Sequence, residues 1–156
     1  MGRFASGVTV VAAIEDGQPI GFTCQSFVSL SLDPPLIAIC PAKSSTSWPK
    51  MISAGRFSVN VLAGDQAGEA TAFAVSGGDK FEGVGWRIGR FGTPIIDGVV
   101  VSIECDLRSI HETGDHELVV GEVLALDASD RDPLIFYRGR FTSLPDICSA
   151  DVRTDP

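Results

Sequence analysis

Lysine is almost missing from this chain. Three lysines and nine arginines face twenty acidic side chains, giving a formal net charge of −8 and a pI near 4.6. A surface of that sign repels nucleic acid and anionic membrane, so neither is an expected partner. Histidine is scarcer still, at His111 and His116 only. Cys24, Cys40, Cys105 and Cys148 form no C-x-x-C pair and stand at no metal-ligand spacing from a histidine, so no metal site is expected. Three of these cysteines fall inside apolar, strand-like text, where a reduced thiol packs as a small hydrophobe. No charged start, apolar core and cleavage site opens the chain, and a reducing cytoplasm is the expected location. The longest apolar runs, such as Val8 to Ile14, fall far short of the roughly 20 residues that a spanning helix needs. Several enzyme signatures are absent too: G-x-S-x-G, H-E-x-x-H, G-x-x-x-x-G-K-[ST], and G-x-G-x-x-G after a strand. A nicotinamide nucleotide, if one binds, does so without a Rossmann unit.

What is present reads as one mainly β domain. Hydrophobic residues make up 44% and charged ones 21% of 156 residues, enough to bury about two thirds of the unfolded surface in a single core. Val8 to Ile14 is β-branched and apolar on both faces, the pattern of a strand buried on two sides. Asp16-Gly17 then predicts a tight reversal into Pro19 to Cys24. Arg56 to Leu62 alternates Phe57, Val59 and Val61 against Ser58 and Asn60, which predicts a core face and a face toward water or ligand. Asp65 is placed to cap a helix to about Ala74. Gly83 to Gly98, rich in glycine and poor in period, reads as a long loop. Strands over Val99 to Ile110 and Glu117 to Leu126 flank a polar turn at residues 111–116, and two shorter strands, Leu134 to Tyr137 and Phe141 to Leu144, follow. Six or more short strands with two short helices favour a closed or nearly closed barrel.

The stretch that organises the chain runs from Gly21 to Trp48. Two extended segments fold about Asp33-Pro34-Pro35, where X-Pro-Pro excludes helix and removes amide donors. Next come Lys43, Ser44, Ser45, Thr46 and Ser47, one ammonium and four hydroxyls, leading into a short helix. Thr46 or Ser47 is placed to cap it, Pro49 sits in its first turn, and Gly55 closes it. Hydroxyls feeding a helix N-terminus offer free N–H groups to phosphate. An ordinary Ser/Thr loop before a capped helix is the plainer reading of the same residues.

In order along the chain, Gly2-Arg-Phe-Ala-Ser-Gly-Val-Thr-Val-Val11, Gly21-Phe-Thr-Cys-Gln-Ser-Phe-Val-Ser-Leu-Ser-Leu-Asp-Pro-Pro-Leu36, Ser53-Ala-Gly-Arg-Phe-Ser-Val-Asn-Val-Leu62, Asp79-Lys-Phe81, Gly114-Asp-His116 and Tyr137-Arg-Gly139 form an ordered set. This set resembles the flavin reductase family, the reductase partners of two-component flavin-dependent monooxygenases. Within it, Cys24-Gln25-Ser26, Trp48 and Phe136-Tyr137-Arg138-Gly139 look most like reductases that serve secosteroid and other phenol hydroxylases. The resemblance implies an FMN-binding split β-barrel over residues 1–144 and a homodimer, while the residues from Pro145 turn polar and acidic and read as a tail over 145–156. It implies FMN or FAD as the flavin, NADH or NADPH as co-substrate, and a separate oxygenase as partner.

The resemblance also implies the site. Thr23, Cys24, Gln25 and Ser26 match the segment beside the isoalloxazine, continued by Ser29, Leu30 and Ser31, with Pro41 lining the ring. Lys43 to Ser47 fall to ribityl and phosphate oxygens, with Lys80 and Phe81 of Asp79-Lys80-Phe81 beside them. His116, its ring held by Asp115, falls to the nicotinamide side with Tyr137 and Arg138, none of them a confident acid or base, since the cofactors carry the hard chemistry. Read without the resemblance, Lys80 is a solvated surface charge, His116 an exposed turn residue, and Trp48 either an adenine platform or a core anchor. Two rival functions stand: a flavin-binding electron carrier or sensor that does not oxidise NADH, and a barrel without flavin that serves as an interaction module.

Overall fold

A computed structural model describes residues 3–143. The tail over 145–156, Cys148 and the end of the last expected strand lie outside them. Among the described residues the chain forms twelve strands and two short helices, the mainly β architecture expected.

After β1 (Ser6–Gly7), β2 (Thr9–Glu15) and β3 (Gln18–Cys24) form the expected hairpin. Asp16 and Gly17 both take positive φ, 49° and 77°, as a two-residue turn matched to strand twist requires. β2 is buried on both sides because its alternate residues enter different cores. Val11 and Ala13 join Ile39, Phe57 and Val59; Val10 and Ala12 join Leu62, Phe73 and Leu134.

With β4 (Val28–Leu32), β5 (Pro35–Ile39), β6 (Arg56–Val61), β9 (Val101–Thr113) and β10 (His116–Ala128), these two strands complete a seven-stranded antiparallel sheet of order β3-β2-β6-β9-β10-β5-β4. β3 and β4 are its two edges, yet only residues 25–27 separate them in the chain. Four peptide steps reach about 14 Å at most, so the sheet has to curl until its edges nearly meet. The first core shows the closure, for it takes Phe22 and Cys24 from β3 together with Ile37 and Ile39 from β5. At the crossing, the Ser26 hydroxyl accepts from the Cys40 amide at 2.8 Å and lies 3.2 Å from the Cys40 carbonyl. The barrel therefore has a seam beside β3, held by side chains rather than by a ladder.

Helix α1 (Trp48–Ala54) closes the first core with Trp48 and Met51, and Gly55, at φ 68°, ends it by donating to the Met51 and Ile52 carbonyls. Its start differs from expectation. Ser47 holds helical angles and makes no side-chain cap, while Ser45 Oγ, two residues earlier, accepts the Trp48 amide at 3.2 Å. Helix α2 (Ala67–Ala74) covers the second core with Ala70 and Phe73. Gln66 occupies its cap position, because Asp65 is drawn to Arg131 at 2.5 Å.

Two further expectations need correction. Ser58 and Asn60 face neither water nor ligand: both are fully buried, and they bond to the carbonyls of Ala12, Val10 and Pro94 and to the Ile96 amide. Their partners explain the second correction. Residues 83–98 are not a plain loop but carry the hairpin β7 (Trp86–Ile88) and β8 (Pro94–Ile96), which seats on those polar groups. Last come β11 (Leu134–Tyr137) and β12 (Arg140–Ser143), which join β1 in a three-stranded sheet.

Candidate functional site

The seam opens into a cavity of about 520 Å³, within the range typical of small-molecule sites. Three segments build its wall. The end of β3 and the crossing supply Phe22, Thr23, Cys24, Gln25 and Ser26; the loop after β5 supplies Cys40, Pro41, Ala42, Ser44, Ser45 and Thr46; the end of α2 and the turn beyond it supply Phe73, Ala74, Ser76 and Lys80. His116, at the start of β10, completes it.

The loop is fixed against the β9–β10 turn, and this brings His116 to the cavity. Ala42 and His116 form an isolated bridge; the Lys43 amide donates to the Asp115 carbonyl and the Glu117 amide to the Pro41 carbonyl, both at 3.0 Å. Gly114 permits the turn at φ 72°. The buried indole of Trp48 donates to a Glu117 carboxylate oxygen at 2.5 Å, locking helix, loop and β10 together. Trp48 is thus a core anchor, with its ring edge against Phe22 at 6.4 Å, and is no platform for a ligand. The Ser45 amide turns inward to Ala42, leaving the amides of Ser44, Thr46 and Ser47 with no acceptor among the described residues.

Among the described residues Lys80 is the one lysine or arginine on this wall. Its Nζ donates to the carbonyls of Gly21 and Phe73, each at 3.2 Å, so one of three ammonium protons remains. Partial burial lowers its pKa. Gly21 has no side chain because none fits: an added Cβ would stand 2.7 Å from the Phe73 ring. On the opposite side, His116 Nδ1 lies 2.8 Å from Asp115 Oδ1, a hydrogen bond that also lowers the Asp115 pKa. With Nδ1–H given to the carboxylate, Nε2 is the free nitrogen, an acceptor in the neutral ring and a donor in the charged one.

Ten expected residues therefore meet at one cavity: Thr23, Cys24, Gln25, Ser26, Pro41, Ser44, Ser45, Thr46, Lys80 and His116. Nine expected residues lie off its wall. Ser29, Leu30 and Ser31 sit on the edge strand β4, where Leu30 is half exposed. Phe81 is buried in the second core between Phe73 and Trp86. The Lys43 side chain turns to Glu112 at 3.6 Å, and Ser47, nearly buried, lines a neighbouring cavity. Asp115 is hydrogen-bonded to His116, while Tyr137 and Arg138 lie at the β11–β12 turn, guanidinium over ring at 5.3 Å. Sequence reasoning missed Phe22, Cys40, Ala42, Phe73, Ala74 and Ser76. Only the break at Val75-Ser76-Gly77-Gly78 before Lys80 hinted at the last of these.

The wall joins apolar surface, hydroxyls, free amides and one ammonium, which suits a phosphorylated aromatic heterocycle. It does not suit covalent catalysis. Cys24 Sγ contacts Ser26 rather than histidine, and burial raises its pKa, so it is a poor thiolate. Among the described residues no cluster of acidic, cysteine or histidine side chains could hold a metal.

Comparison with known proteins agrees with this chemistry. Residues 1–145 match the family described as "Flavin reductase like domain". The chain is 44% identical over 145 residues to the reductase subunit HsaB of a flavin-dependent monooxygenase from Rhodococcus jostii, covering 92% of this chain and 74% of that protein. Among solved structures it resembles nitrilotriacetate monooxygenase component B from Mycobacterium thermoresistibile, with TM-score 0.89, 44% identity, and 92% and 82% of the two chains covered. The NADH:FAD oxidoreductase SgcE6 of Streptomyces globisporus, solved with NAD and FAD fragments, gives TM-score 0.88 at 36% identity over 94% and 89%.

Proposed function

The chain belongs to the flavin reductase family, and on that premise we propose that the cavity at the barrel seam holds the flavin it reduces. Its activity is NADH-dependent reduction of flavin in a split β-barrel, and the reduced flavin serves a separate monooxygenase component. Bound flavin accepts a hydride from NADH, so the cofactors supply the redox chemistry and the protein supplies binding and alignment.

The observation that carries the site assignment is the convergence of ten expected residues, from four separate stretches of the chain, on one cavity of about 520 Å³. The residues fit the group. Phe22, Pro41, Ala42 and Phe73 offer apolar surface to a ring system, and residues 23–26 offer backbone and side-chain polar groups to its edge. Ser44, Ser45 and Thr46, the free amides and Lys80 offer donors to a phosphate, where a charge-assisted bond is the strong kind. Such local neutralisation is needed on a chain of charge −8. His116 stands at the cavity wall with Nε2 available to a nicotinamide carboxamide, and Asp115 orients it.

Residues 1–144 are taken as one domain and the chain as a homodimer. The support for a dimer is the edge strand β4, whose Val28, Leu30 and Leu32 are exposed at 50%, 51% and 89%. A second copy would cover them. The free thiols of Cys24, Cys40 and Cys105 support a reducing cytoplasm. Among the described residues no helix is long and apolar enough to cross a membrane.

The test is NADH oxidation under air by the purified chain with added FMN or FAD. Loss of NADH should depend on flavin and on protein together. Flavin binding without any NADH loss above the buffer blank would instead favour the electron carrier.

A further inference from the structure

Hydride transfer from a nicotinamide to a flavin uses no thiol, yet two residues of the cavity wall are cysteines, Cys24 and Cys40. Cys24 ends β3, and Cys40 follows the last residue of β5. These strands are not ladder partners, so closure of the barrel is what brings the two together. One hydroxyl stands between them. Ser26 Oγ lies 3.1 Å from Cys24 Sγ and accepts from the Cys40 amide at 2.8 Å. End to end, those contacts put the Cys24 sulfur about 6 Å or less from the Cys40 nitrogen, and a disulfide bridges Cα atoms about 4.4–6.8 Å apart. The Cys40 backbone is also within hydrogen-bond reach of the Cys24 sulfur itself.

The two thiols are unequal. Cys24 is 5% exposed, and burial raises its pKa, with the charge of a Cys40 thiolate adding to the rise. Cys40 is half-buried and open to the cavity, so an oxidant that enters meets it first. Cys105 gives the contrast of a packed thiol: fully buried, off the cavity wall, its pKa pushed up to about 12 by burial and by Asp106 and Glu104.

We propose that Cys40 and Cys24 are a peroxide-sensitive thiol pair whose disulfide stitches the barrel seam and shuts the cavity. The proposal rests on the reading of that cavity as the flavin site. The oxidant is hydrogen peroxide, formed in free solution when dioxygen takes the electron pair of dihydroflavin that no oxygenase has collected. The Cys40 sulfur attacks the O–O bond, giving a sulfenic acid and one water. The Cys24 sulfur then displaces hydroxide from it, and that hydroxide leaves with the Cys24 proton as a second water. Two thiols and one peroxide thus become one disulfide and two waters. Because the second attack is intramolecular, a small thiolate fraction on Cys24 is enough. The new bond draws Cys40 toward β3 and drives the Ser26 hydroxyl from between them, on the wall where residues 23–26 face the ligand. A cellular thiol pool reverses it, as it does other transient disulfides of reducing compartments. The reductase therefore slows when its product goes uncollected.

The full chain, reduced and free of flavin, would be treated with a small excess of hydrogen peroxide, unfolded, alkylated and mapped by mass spectrometry. Flavin affinity would be measured by fluorescence on the folded protein before and after treatment. The expected result is a peptide pair linked through Cys24 and Cys40, with Cys105 free. Flavin Kd should rise about tenfold, the worth of one or two lost hydrogen bonds, and return with dithiothreitol. Cys148 lies outside the described residues, and the same link should form in Cys148→Ser. Cys24→Ser should hold Cys40 as a sulfenic acid that dimedone labels, whereas Cys40→Ser should take no label and keep its own flavin Kd through the treatment. A link between other cysteines, or none, overturns the pair. A Cys24–Cys40 disulfide that leaves flavin Kd unmoved overturns the shut cavity. A reduced protein that binds no flavin removes the functional reading, and the switch with it, whatever its thiols do.

Discussion

Gly21 joins the packing of the second core to the charge in the cavity, and replacing it with alanine tests both. Its φ is not positive, so alanine meets no backbone strain, and by unfolded-chain entropy alone it would stabilise the fold by about 0.4–1 kcal/mol. Space decides against it. The new methyl would stand 2.7 and 2.8 Å from Cε1 and Cδ1 of Phe73, roughly 1 Å inside normal carbon contact. Phe73 cannot retreat easily, being 1% exposed and edge-on to Phe81 at 4.8 Å. Overpacking of this kind costs about 1–3 kcal/mol, so the net loss is about 1–2 kcal/mol. With a urea m-value of about 2 kcal/mol per molar, the unfolding midpoint falls by about 0.5–1 M at unchanged slope.

Gly68→Ala is the matched control. It lies on the exposed face of the same helix that carries Phe73, with nothing within 4 Å of an added Cβ, and should stabilise by about 0.5–1 kcal/mol. The two variants also part company in function. The Gly21 and Phe73 carbonyls are the two acceptors that hold Lys80 Nζ, so forcing them apart loosens the cavity's cation and weakens flavin binding. Gly68→Ala leaves it alone. A Gly21→Ala protein as stable as wild type, or one that is destabilised yet binds flavin with unchanged Kd, would refute the packing argument or the link to Lys80 respectively.

Other consequences follow from the same contacts. Thr46→Ala should cost flavin about 1.5–3 kcal/mol, a tenfold to hundredfold rise in Kd, while Lys43→Ala, whose ammonium is spent on exposed Glu112, should change it little; fluorescence titration that ranks them the other way would return the phosphate to Lys43. His116→Ala should raise the NADH KM or slow flavin reduction with flavin Kd nearly unchanged, and equal losses in both would place His116 in the flavin site instead. Because burial lowers the Lys80 pKa, flavin affinity should fall as pH rises through that lowered value, earlier than a free lysine would allow, and Lys80→Arg should move the fall to higher pH. The sign for folding is opposite: between the lowered pKa and the ordinary one the unfolded chain binds more protons, so stability from this group rises with pH, and denaturation midpoints across that window should show it.

Local chemistry made some elements legible in the sequence. Asp16-Gly17 and Gly55 announce their turns because both sit at positive φ, a condition few residues meet. The polar loop at 43–47 reads as a candidate phosphate site from its hydroxyls ahead of a helix start, whereas the segment 23–26 reads as part of a site only through the family resemblance. Other features depend on partners distant in the chain. Ser58 and Asn60 read as a face toward water or ligand, since alternation cannot reveal that a carbonyl at Pro94 and an amide at Ile96 wait for them. The strands that bring those partners are three residues each, too short for a period to show against five glycines in the surrounding segment.

The cavity itself is the strongest case of that limit, and the reason is topological. A seven-stranded sheet with β3 and β4 at its edges has open edges on paper, but a three-residue connection between them forces the edges together without letting them pair along their length. Space is left where the ladder is missing, and what lines it is decided by whatever the curl brings there. Thr23 donates to the Ala70 carbonyl across 47 residues, and Lys80 reaches back to Gly21 across 59. The site residues that sequence reasoning found lie at the end of β3 and in the crossing after it, and in the loop after β5, together with one histidine and one lysine. Half of those it missed, Phe73, Ala74 and Ser76, lie at the end of α2 and in the turn beyond it, and their presence follows from closure of the barrel and from no pattern in their own neighbourhood. Widening the seam, by inserting one residue between Cys24 and Val28, should therefore damage flavin binding more than an equal insertion at the Asp16-Gly17 turn, because only the first changes the span that holds the two edges in reach.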